Sequence, residues 1–259
     1  MPSFLDRNFG LGGKIALVTG SSRGLGRGMA RALAQAGAQV IVNAREAGSL
    51  APVLAELGSL EHAPDCTGFA ADLGDRGAVE RLIDQSVAWK GRLDILVNNA
   101  GIIRRAPAAD HGDSDWDDVM KVNLNGVFTA CRAAGRHMIS RGSGKVINIA
   151  SLLTFTGGIS VPGYAASKGA VGQLTKALSN EWAAKGVQVN AIAPGYMKTD
   201  NTLVLQADPV RSRDILSRIP ANRWGEPSDL EGIVVFLAST ASDYLTGQII
   251  AVDGGWSGR

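Results

Sequence analysis

Short runs of apolar, β-branched residues alternate with longer segments of mixed polarity along the chain. The short runs predict seven β-strands, at 14–18, 39–42, 68–71, 94–97, 145–149, 187–192 and 248–252. Between them, apolar residues recur with helical periodicity and predict helices at 24–36, 76–88, 116–137, 164–184 and 227–237. Such alternation is typical of right-handed βαβ crossovers, which build a parallel sheet with helices on both faces.

No linker rich in proline or serine interrupts this alternation. We therefore expect one α/β domain over 1–259, with a doubly wound seven-stranded parallel sheet. The stretch 196–219, between the sixth strand and the helix from 227, is the exception to the regular order. We expect this stretch to form a substrate lid.

Composition narrows the classes of partner. Of 259 residues, 45% are hydrophobic and 19% are charged, which is enough apolar material for a large core. The net charge is only +2 and the basic residues are scattered, which argues against a nucleic-acid or membrane partner. With neither a signal-like apolar segment at the N-terminus nor a long apolar run, we expect a cytoplasmic protein.

The cysteines and histidines suggest no metal centre. Cys66 and Cys131 lie far apart, without metal-ligand spacing, and we expect both to be reduced, buried thiols. His62, His111 and His137 have no motif around them, and a loop or helix-surface position is the better expectation for each.

A glycine-rich segment from Thr19 to Gly26 joins the first strand to the first helix. Glycines let a backbone turn tightly against a pyrophosphate, and the N–H groups at a helix N-terminus favour negative charge. The segment therefore favours a dinucleotide site, although a plain strand-to-helix turn remains the alternative.

The second strand ends in Asn43, Ala44 and Arg45, where NAD-binding chains carry an acidic residue that binds the ribose 2′-hydroxyl. Without that carboxylate, Arg45 and Arg23 could hold a 2′-phosphate. We therefore predict a preference for NADP, with NAD as the other cofactor open to the chain. The alternative is that both arginines are solvated surface residues.

Three side chains suggest proton transfer. Tyr164 and Lys168 lie one helical turn apart, so the ammonium could lower the pKa of the phenol. Ser151 ends the fifth strand, at the sheet edge where ligands bind, and its hydroxyl could polarise a substrate oxygen. A Tyr-x-x-x-Lys pair alone is usually an exposed helical pair, but Ser151 strengthens the catalytic interpretation.

These motifs, together and in this order, resemble the short-chain dehydrogenase/reductase family over nearly the whole chain. The resemblance implies a Rossmann fold and a catalytic tetrad in which Tyr164 is the acid/base, Ser151 orients the substrate, Lys168 holds the nicotinamide ribose and Asn123 anchors a proton-relay water. It also implies a set of cofactor contacts: Gly20, Ser21, Ser22, Arg23, Gly24, Leu25, Gly26, Arg45, Asp72, Leu73, Asn99, Ala100, Gly101, Lys168, Pro194, Gly195, Met197 and Thr199. The family uses no catalytic metal and commonly forms homotetramers.

Within that family the chain is most similar to the 2-deoxy-D-gluconate 3-dehydrogenases, also described as 2-dehydro-3-deoxy-D-gluconate 5-dehydrogenases. The similarity lies in the segments 98–105, 115–120, 190–197 and 252–256, and it implies a sugar-acid substrate bound at Ser151 and Tyr164. Arg104 or Arg105, after the fourth strand, could hold the substrate carboxylate, or both could be surface or subunit contacts.

Three other functions remain open. One is a 3-oxoacyl-carrier-protein reductase, and another is a dehydrogenase of a different sugar or polyol. The last is a non-catalytic nucleotide-binding regulator, against which the intact tetrad argues.

Overall fold

The computed structural model describes residues 3–61 and 63–258. His62, for which a loop or helix surface is expected, lies outside these residues. The strands of the described part are β1 (Ile15–Val18), β2 (Gln39–Ala44), β3 (Cys66–Ala70), β4 (Ile95–Asn98), β5 (Gly144–Ile149), β6 (Val187–Pro194) and β7 (Ile249–Val252). They form one sheet in the order β3-β2-β1-β4-β5-β6-β7.

Every neighbouring pair of strands in this sheet is parallel. The carboxyl ends of the strands therefore meet at one edge, and the strand order reverses between β1 and β4, which is where ligands bind in doubly wound sheets. The predicted doubly wound seven-stranded parallel sheet is confirmed.

The α-helices of the described residues are α1 (Phe4–Phe9), α2 (Gly24–Gln35), α3 (Ala51–Gly58), α4 (Arg76–Lys90), α5 (Asp113–Met120), α6 (Val127–Arg141), α7 (Pro162–Trp182), α8 (Leu203–Ala207), α9 (Pro209–Leu216) and α10 (Glu231–Ala238). Helices α2, α3 and α10 cover one face of the sheet, with Met29 and Leu237 in its core. Helices α4, α6 and α7 cover the other face through Leu82, Met138 and Leu178. Burial of each such large side chain contributes about 1.5–3 kcal/mol.

Helices α1 and α3 were not predicted. Helix α3 contains Pro52 and ends at Gly58, two residues that usually mark a loop. Proline is nevertheless tolerated in a first turn, because its missing N–H would have no intrahelical partner there. Helix α1 is a short amphipathic segment, and Ser3 caps it by accepting a hydrogen bond from the N–H of Asp6.

The stretch predicted as one helix over 116–137 is helical throughout, but a π-helical turn interrupts it. Helix α5 ends at Met120, a π-helical turn follows over Lys121–Gly126, and α6 then begins at Val127. A π-helical turn holds an extra residue, so the 3.6-residue spacing does not run through it. The predicted helix at 227–237 likewise begins as a 3₁₀ turn, Pro227–Leu230, before α10.

The stretch 196–219 is more regular than predicted, since it contains α8 and α9. Its base is closed where Lys198 N–H donates to Gly225 O (2.7 Å) and Gly225 N–H donates to Tyr196 O (2.9 Å). A small separate apolar cluster forms around the buried Trp224. The stretch therefore carries its own core at the carboxyl edge of the sheet.

The two cysteines differ in burial. Cys131 is buried in α6, as expected, but Cys66 is only half-buried because it lies in β3, the edge strand. Over residues 3–61 and 63–258, no helix has the length and apolar character needed to cross a membrane.

Candidate active site

The loop between β1 and α2 has a backbone that favours glycine at its critical positions. Gly20 and Gly24 have φ values of +61° and +54°. A Cβ atom at Gly20 would lie 2.9 Å from Ala100 Cα, and one at Gly26 would collide with Asn99 Nδ2 and Gly20 O. No side-chain hydrogen bond caps the N-terminus of α2, so its backbone N–H groups remain available, which fits a pyrophosphate.

Three buried or half-buried side chains hold this loop in place. Ser21 Oγ donates to Val18 O (2.8 Å) and accepts from Asn43 N–H (2.9 Å). Asn43 Oδ1 accepts from Gly20 N–H (3.2 Å). Asn99 Nδ2 donates to Thr19 O (2.9 Å) and Gly20 O (3.0 Å). Ser21 and Asn99, both predicted to contact the cofactor, therefore use these side chains to shape the loop.

A cleft of about 880 Å³ opens in front of the loop, along the carboxyl edge of the sheet. Most of the predicted cofactor residues line it: Gly20, Ser22, Arg23, Gly24, Leu25, Gly26, Arg45, Asp72, Leu73, Asn99, Ala100, Gly101, Lys168 and Thr199. Tyr164 and Arg104 also line the cleft. Its volume and its mixture of glycine backbone and polar side chains fit a dinucleotide.

Pro194, Gly195 and Met197, like Ser21, are not among the residues that line the cleft. Pro194 ends β6, and a Cβ at Gly195 would lie 2.7 Å from Asp253 Cα. Met197 is buried and pairs with Gly225. Their contact with a cofactor stays a prediction.

Several residues of the cleft were not singled out from the sequence as binding residues: Asn43, Lys121, Val122, Asp200 and Asn201. The sequence marks Asn43 only as a position that lacks an acid. Lys121 and Val122 belong to the π-helical turn, which the helical periodicity of the sequence does not predict. Asp200 and Asn201 directly follow Thr199, so their position next to a predicted contact was the available signal.

Tyr164 and Lys168 lie on the first two turns of α7, next to the cleft. Lys168 Nζ is 5.7 Å from the centroid of the Tyr164 ring and donates to Ile149 O at 2.6 Å. Burial lowers the pKa of Lys168 from 10.5 to about 8. The ammonium thus sits below the ring and is fixed to the end of β5.

The pKa of Tyr164 is raised, and burial is the main cause. A hydrogen bond with the Ser151 side chain and the positive charge of Arg105 act in the opposite direction and lower it. Arg105 thus supplies positive charge to this phenol, and the predicted effect of Lys168, whose Nζ lies 5.7 Å from the centroid of the ring, stays a prediction. The Ser151 hydroxyl also accepts the N–H of Leu153 at 3.2 Å, which fixes it at the end of β5.

Asn123 is fully buried in the π-helical turn. Its Oδ1 accepts from Ile102 N–H (2.8 Å), and its Nδ2 donates to Ile102 O (2.9 Å) and to Ser167 Oγ (3.2 Å). A Cβ at Gly101 would lie 3.3 Å from Asn123 Oδ1 and 3.8 Å from Lys168 Nζ. Asn123 therefore ties the segment after β4 to α7, close to the lysine.

Arg104 and Arg105 have different surroundings. Arg104 pairs with Asp115 (3.2 Å) and Asp118 (3.5 Å), so two carboxylates already neutralise its charge. Arg105 donates to Asn201 O (3.2 Å) and is close enough to Tyr164 to lower its pKa. Of the two cations, Arg105 is the one whose charge lowers the pKa of the Tyr164 phenol.

The two described histidines take no part in a metal site. His137 Nε2 accepts the N–H of Leu93 (3.2 Å), and His111 lies beside Gly163 at the start of α7. In the described part of the chain, no group of three His, Cys, Asp or Glu side chains could hold a metal ion.

Comparisons with known proteins agree with this geometry. Residues 14–209 match the family model described as short chain dehydrogenase. A 2-dehydro-3-deoxy-D-gluconate 5-dehydrogenase from Pseudoalteromonas atlantica is 56% identical over 97% of this chain and 98% of its own length, and one from Escherichia coli is 51% identical over the same shares. The crystal structure of a gluconate 5-dehydrogenase from Burkholderia cenocepacia in complex with NADP and tartrate is 42% identical, with a TM-score of 0.95 over 99% of this chain and 100% of that one.

Proposed function

The chain belongs to the short chain dehydrogenase family, and from that premise we propose that it interconverts a secondary alcohol and a ketone on a sugar acid, with NADP as the cofactor. The observation that carries the proposal is the placement of Tyr164. Its phenol lies on the wall of the dinucleotide-sized cleft, hydrogen-bonded to Ser151 and above the Lys168 ammonium.

Tyr164 and Ser151 have different roles at the substrate oxygen in the proposed reaction. In the oxidative direction Tyr164 takes the proton of the substrate hydroxyl, and in the reductive direction it returns a proton to the forming hydroxyl. Ser151 hydrogen-bonds to the same oxygen and orients it. The nicotinamide ring, when bound, accepts or supplies the hydride. Lys168 would hold the nicotinamide ribose, Asn123 would anchor a proton-relay water, and their hydrogen bonds to Ile149 and Ile102 hold the neighbouring backbone.

The choice of NADP rests on the adenosine end of the cleft. Arg23 and Arg45 both line it, and the end of β2 offers the neutral Asn43 in place of an acid. Guanidinium groups recognise phosphate well, and no carboxylate stands at Asn43 to accept a ribose hydroxyl. The bound NADP of the similar Burkholderia cenocepacia protein supports the same choice.

The sugar-acid class rests on the relatives and on Arg105. The two 2-dehydro-3-deoxy-D-gluconate 5-dehydrogenases each match this chain over nearly its full length. A sugar acid carries a carboxylate, and Arg105 supplies a cation beside Tyr164 without a carboxylate partner in the contacts described above. We therefore assign the substrate carboxylate to Arg105 and the ion-paired Arg104 to the fold of α5.

The stretch 196–219 is proposed as the lid over this substrate. It has its own small core and a paired base, and Asn201 accepts the hydrogen bond of Arg105. These features suit a segment that moves as a unit and contacts both the protein and the ligand.

A panel of substrates tests the function. Purified protein would be assayed with 2-dehydro-3-deoxygluconate, 2-deoxygluconate, gluconate, 5-ketogluconate, neutral polyols and acyl thioesters, each with NADP(H) and NAD(H). We expect the highest kcat/KM for a sugar acid with NADP(H). Turnover confined to acyl thioesters or neutral polyols would refute the sugar-acid assignment, and a clear preference for NAD(H) would refute the cofactor assignment.

A homotetramer is part of the proposal. Trp116 on α5 and Phe128 on α6 are 40% and 43% exposed, and burial of such side chains against further copies of the chain would stabilise an oligomer. Sedimentation equilibrium measures the mass directly, and a monomer at micromolar concentration would contradict it. The proposal also includes a cytoplasmic location, because the reaction draws on the cell's NADP(H), and cell fractionation tests this.

A further inference from the structure

An ion pair joins the glycine-rich loop to the base of the proposed lid. Arg23 Nη1 lies 3.1 Å from Asp200 Oδ2, and both side chains are mostly exposed, at 79% and 61%. Both residues line the cleft, and a Cβ at Gly24 would lie 3.9 Å from Thr199 Cγ2. The lid base and the loop are therefore in close proximity across one end of the cleft.

This ion pair involves Arg23, one of the two cations proposed to bind the 2′-phosphate of the cofactor. Arg23 precedes the first residue of α2, and its side chain makes no capping hydrogen bond there. Its guanidinium is therefore oriented by Asp200. The second arginine at this end, Arg45, pairs with the adjacent Glu46 at 3.5 Å, within its own loop. Of these two ion pairs, only Arg23–Asp200 connects two separate parts of the cleft rim.

We propose that Asp200 is a specificity-determining residue for the cofactor, because its carboxylate competes with the 2′-phosphate of NADP for Arg23. A guanidinium that is paired with one anion is less available to a second one. The Asp200 carboxylate also repels the phosphate. NAD has no 2′-phosphate, so its affinity does not depend on this competition. The inference rests on the proposed use of NADP.

The expected size follows from the exposure of the pair. Exposed ion pairs contribute little, so replacement of Asp200 should lower the Kd for NADPH by about two- to fivefold. The Kd for NADH should stay the same. Salt screens exposed charges, so the difference should shrink at high ionic strength.

The experiment measures equilibrium binding rather than turnover. Asp200→Asn would be titrated with NADPH, NADH and adenosine 2′,5′-bisphosphate, and binding would be followed by nucleotide fluorescence or calorimetry. Each titration would be run at low salt and in about 0.5 M salt, which screens exposed charges. Asp214→Asn is the matched control, since Asp214 is an exposed aspartate of α9 that pairs with the adjacent Arg213. We expect tighter NADPH and bisphosphate binding in Asp200→Asn alone. The gain should disappear when Arg23→Met is added.

The outcomes separate the two proposals. If the parent protein prefers NADPH but Asp200→Asn leaves the ratio of the NADH and NADPH Kd values unchanged, the competition is refuted and the cofactor assignment stands. If the gain persists with Arg23→Met, the competition is likewise refuted. If the parent protein shows no preference for NADPH, the cofactor assignment fails and the inference fails with it.

Discussion

Lys168 Nζ donates a 2.6 Å hydrogen bond to the carbonyl oxygen of Ile149. This bond ties the second turn of α7 to the last residue of β5, two residues before Ser151. The phenol of Tyr164 is thereby placed against the end of the strand. The position of the Tyr164 phenol relative to the Ser151 hydroxyl therefore depends on Lys168, although Lys168 forms no hydrogen bond with either side chain in this structure.

Replacement of the phenol tests the chemistry. Tyr164→Phe should lower kcat by about 10²–10⁴-fold, the usual contribution of general acid-base catalysis, while the Kd for NADPH and the melting temperature stay unchanged. Steady-state kinetics and fluorescence titration measure both. Tyr244→Phe is the control, because Tyr244 is fully exposed. Parental kcat in Tyr164→Phe would contradict the role of the phenol.

The buried lysine should give the protein a characteristic pH dependence of stability. The pKa of Lys168 is lowered from 10.5 to about 8 by burial, so between those values the unfolded chain binds the proton and the folded chain does not. The free energy of unfolding should therefore rise as the pH increases through this window, with an upper bound of about 3 kcal/mol.

Chemical denaturation at pH 7 and at higher pH compares the parent with Lys168→Met, which should lack this rise. Lys176→Met, an exposed position on the same helix, should keep it. Equal pH dependence in Lys168→Met and in the parent would show that the lysine does not titrate in this range.

The amide of Asn43 should not be replaceable by a carboxylate. Asn43 is fully buried, and its Nδ2 donates to the carbonyl oxygens of Phe69 (3.1 Å) and Ala44 (3.3 Å). A carboxylate oxygen there would face those oxygens without a proton, so Asn43→Asp should lower the free energy of unfolding by on the order of 3 kcal/mol.

Urea denaturation measures the change, and Asn180→Asp, on the exposed side of α7, should change stability by no more than about 0.5 kcal/mol. We also expect no gain of NADH use in Asn43→Asp. A stable Asn43→Asp protein would mean that the loop does not depend on the amide.

Replacement of Arg104 and replacement of Arg105 should change KM by different amounts, because the two arginines have different surroundings. Arg105→Met should raise KM for a sugar acid by at least about tenfold, since it removes a charge-assisted hydrogen bond, and should leave KM for a neutral ketone unchanged. Arg104→Met, which removes a cation already paired with Asp115, should have a much smaller effect on KM.

Because Arg105 lowers the pKa of Tyr164, Arg105→Met should also move the pH profile of kcat/KM towards higher pH. Equal KM changes in the two variants would remove the assignment of the carboxylate to Arg105.

The sequence predicted the sheet well because its information is local. Runs such as that around Leu17 and Val18 are buried on both faces, so their apolar character marks each strand. It did not predict α3, whose Pro52 and Gly58 also suit a loop. Only packing against the sheet, which brings Val53 and Leu57 into the core, distinguishes the two.

The site was predicted in its parts but not in its contacts. Gly20 and the residues from Ser22 to Gly26 line the cleft, whereas Ser21 is buried, and their contacts with a cofactor stay a prediction. The partner of Arg23, by contrast, is Asp200, 177 positions away along the chain, and no spacing rule relates them. The same holds for Asn43, whose bonds to the glycine loop exist only once β1 and β2 are paired.

The π-helical turn over Lys121–Gly126 makes the helical stretch from α5 to α6 intolerant of small changes in length. Each residue of an α-helix advances its side chains by about 100° around the axis, so one deletion inside the turn would rotate everything on one side of it relative to the other. Either Asn123 would swing away from Ile102, or the α6 side chains would leave the sheet. A substitution in this stretch therefore preserves its geometry far better than the insertion or deletion of one residue does.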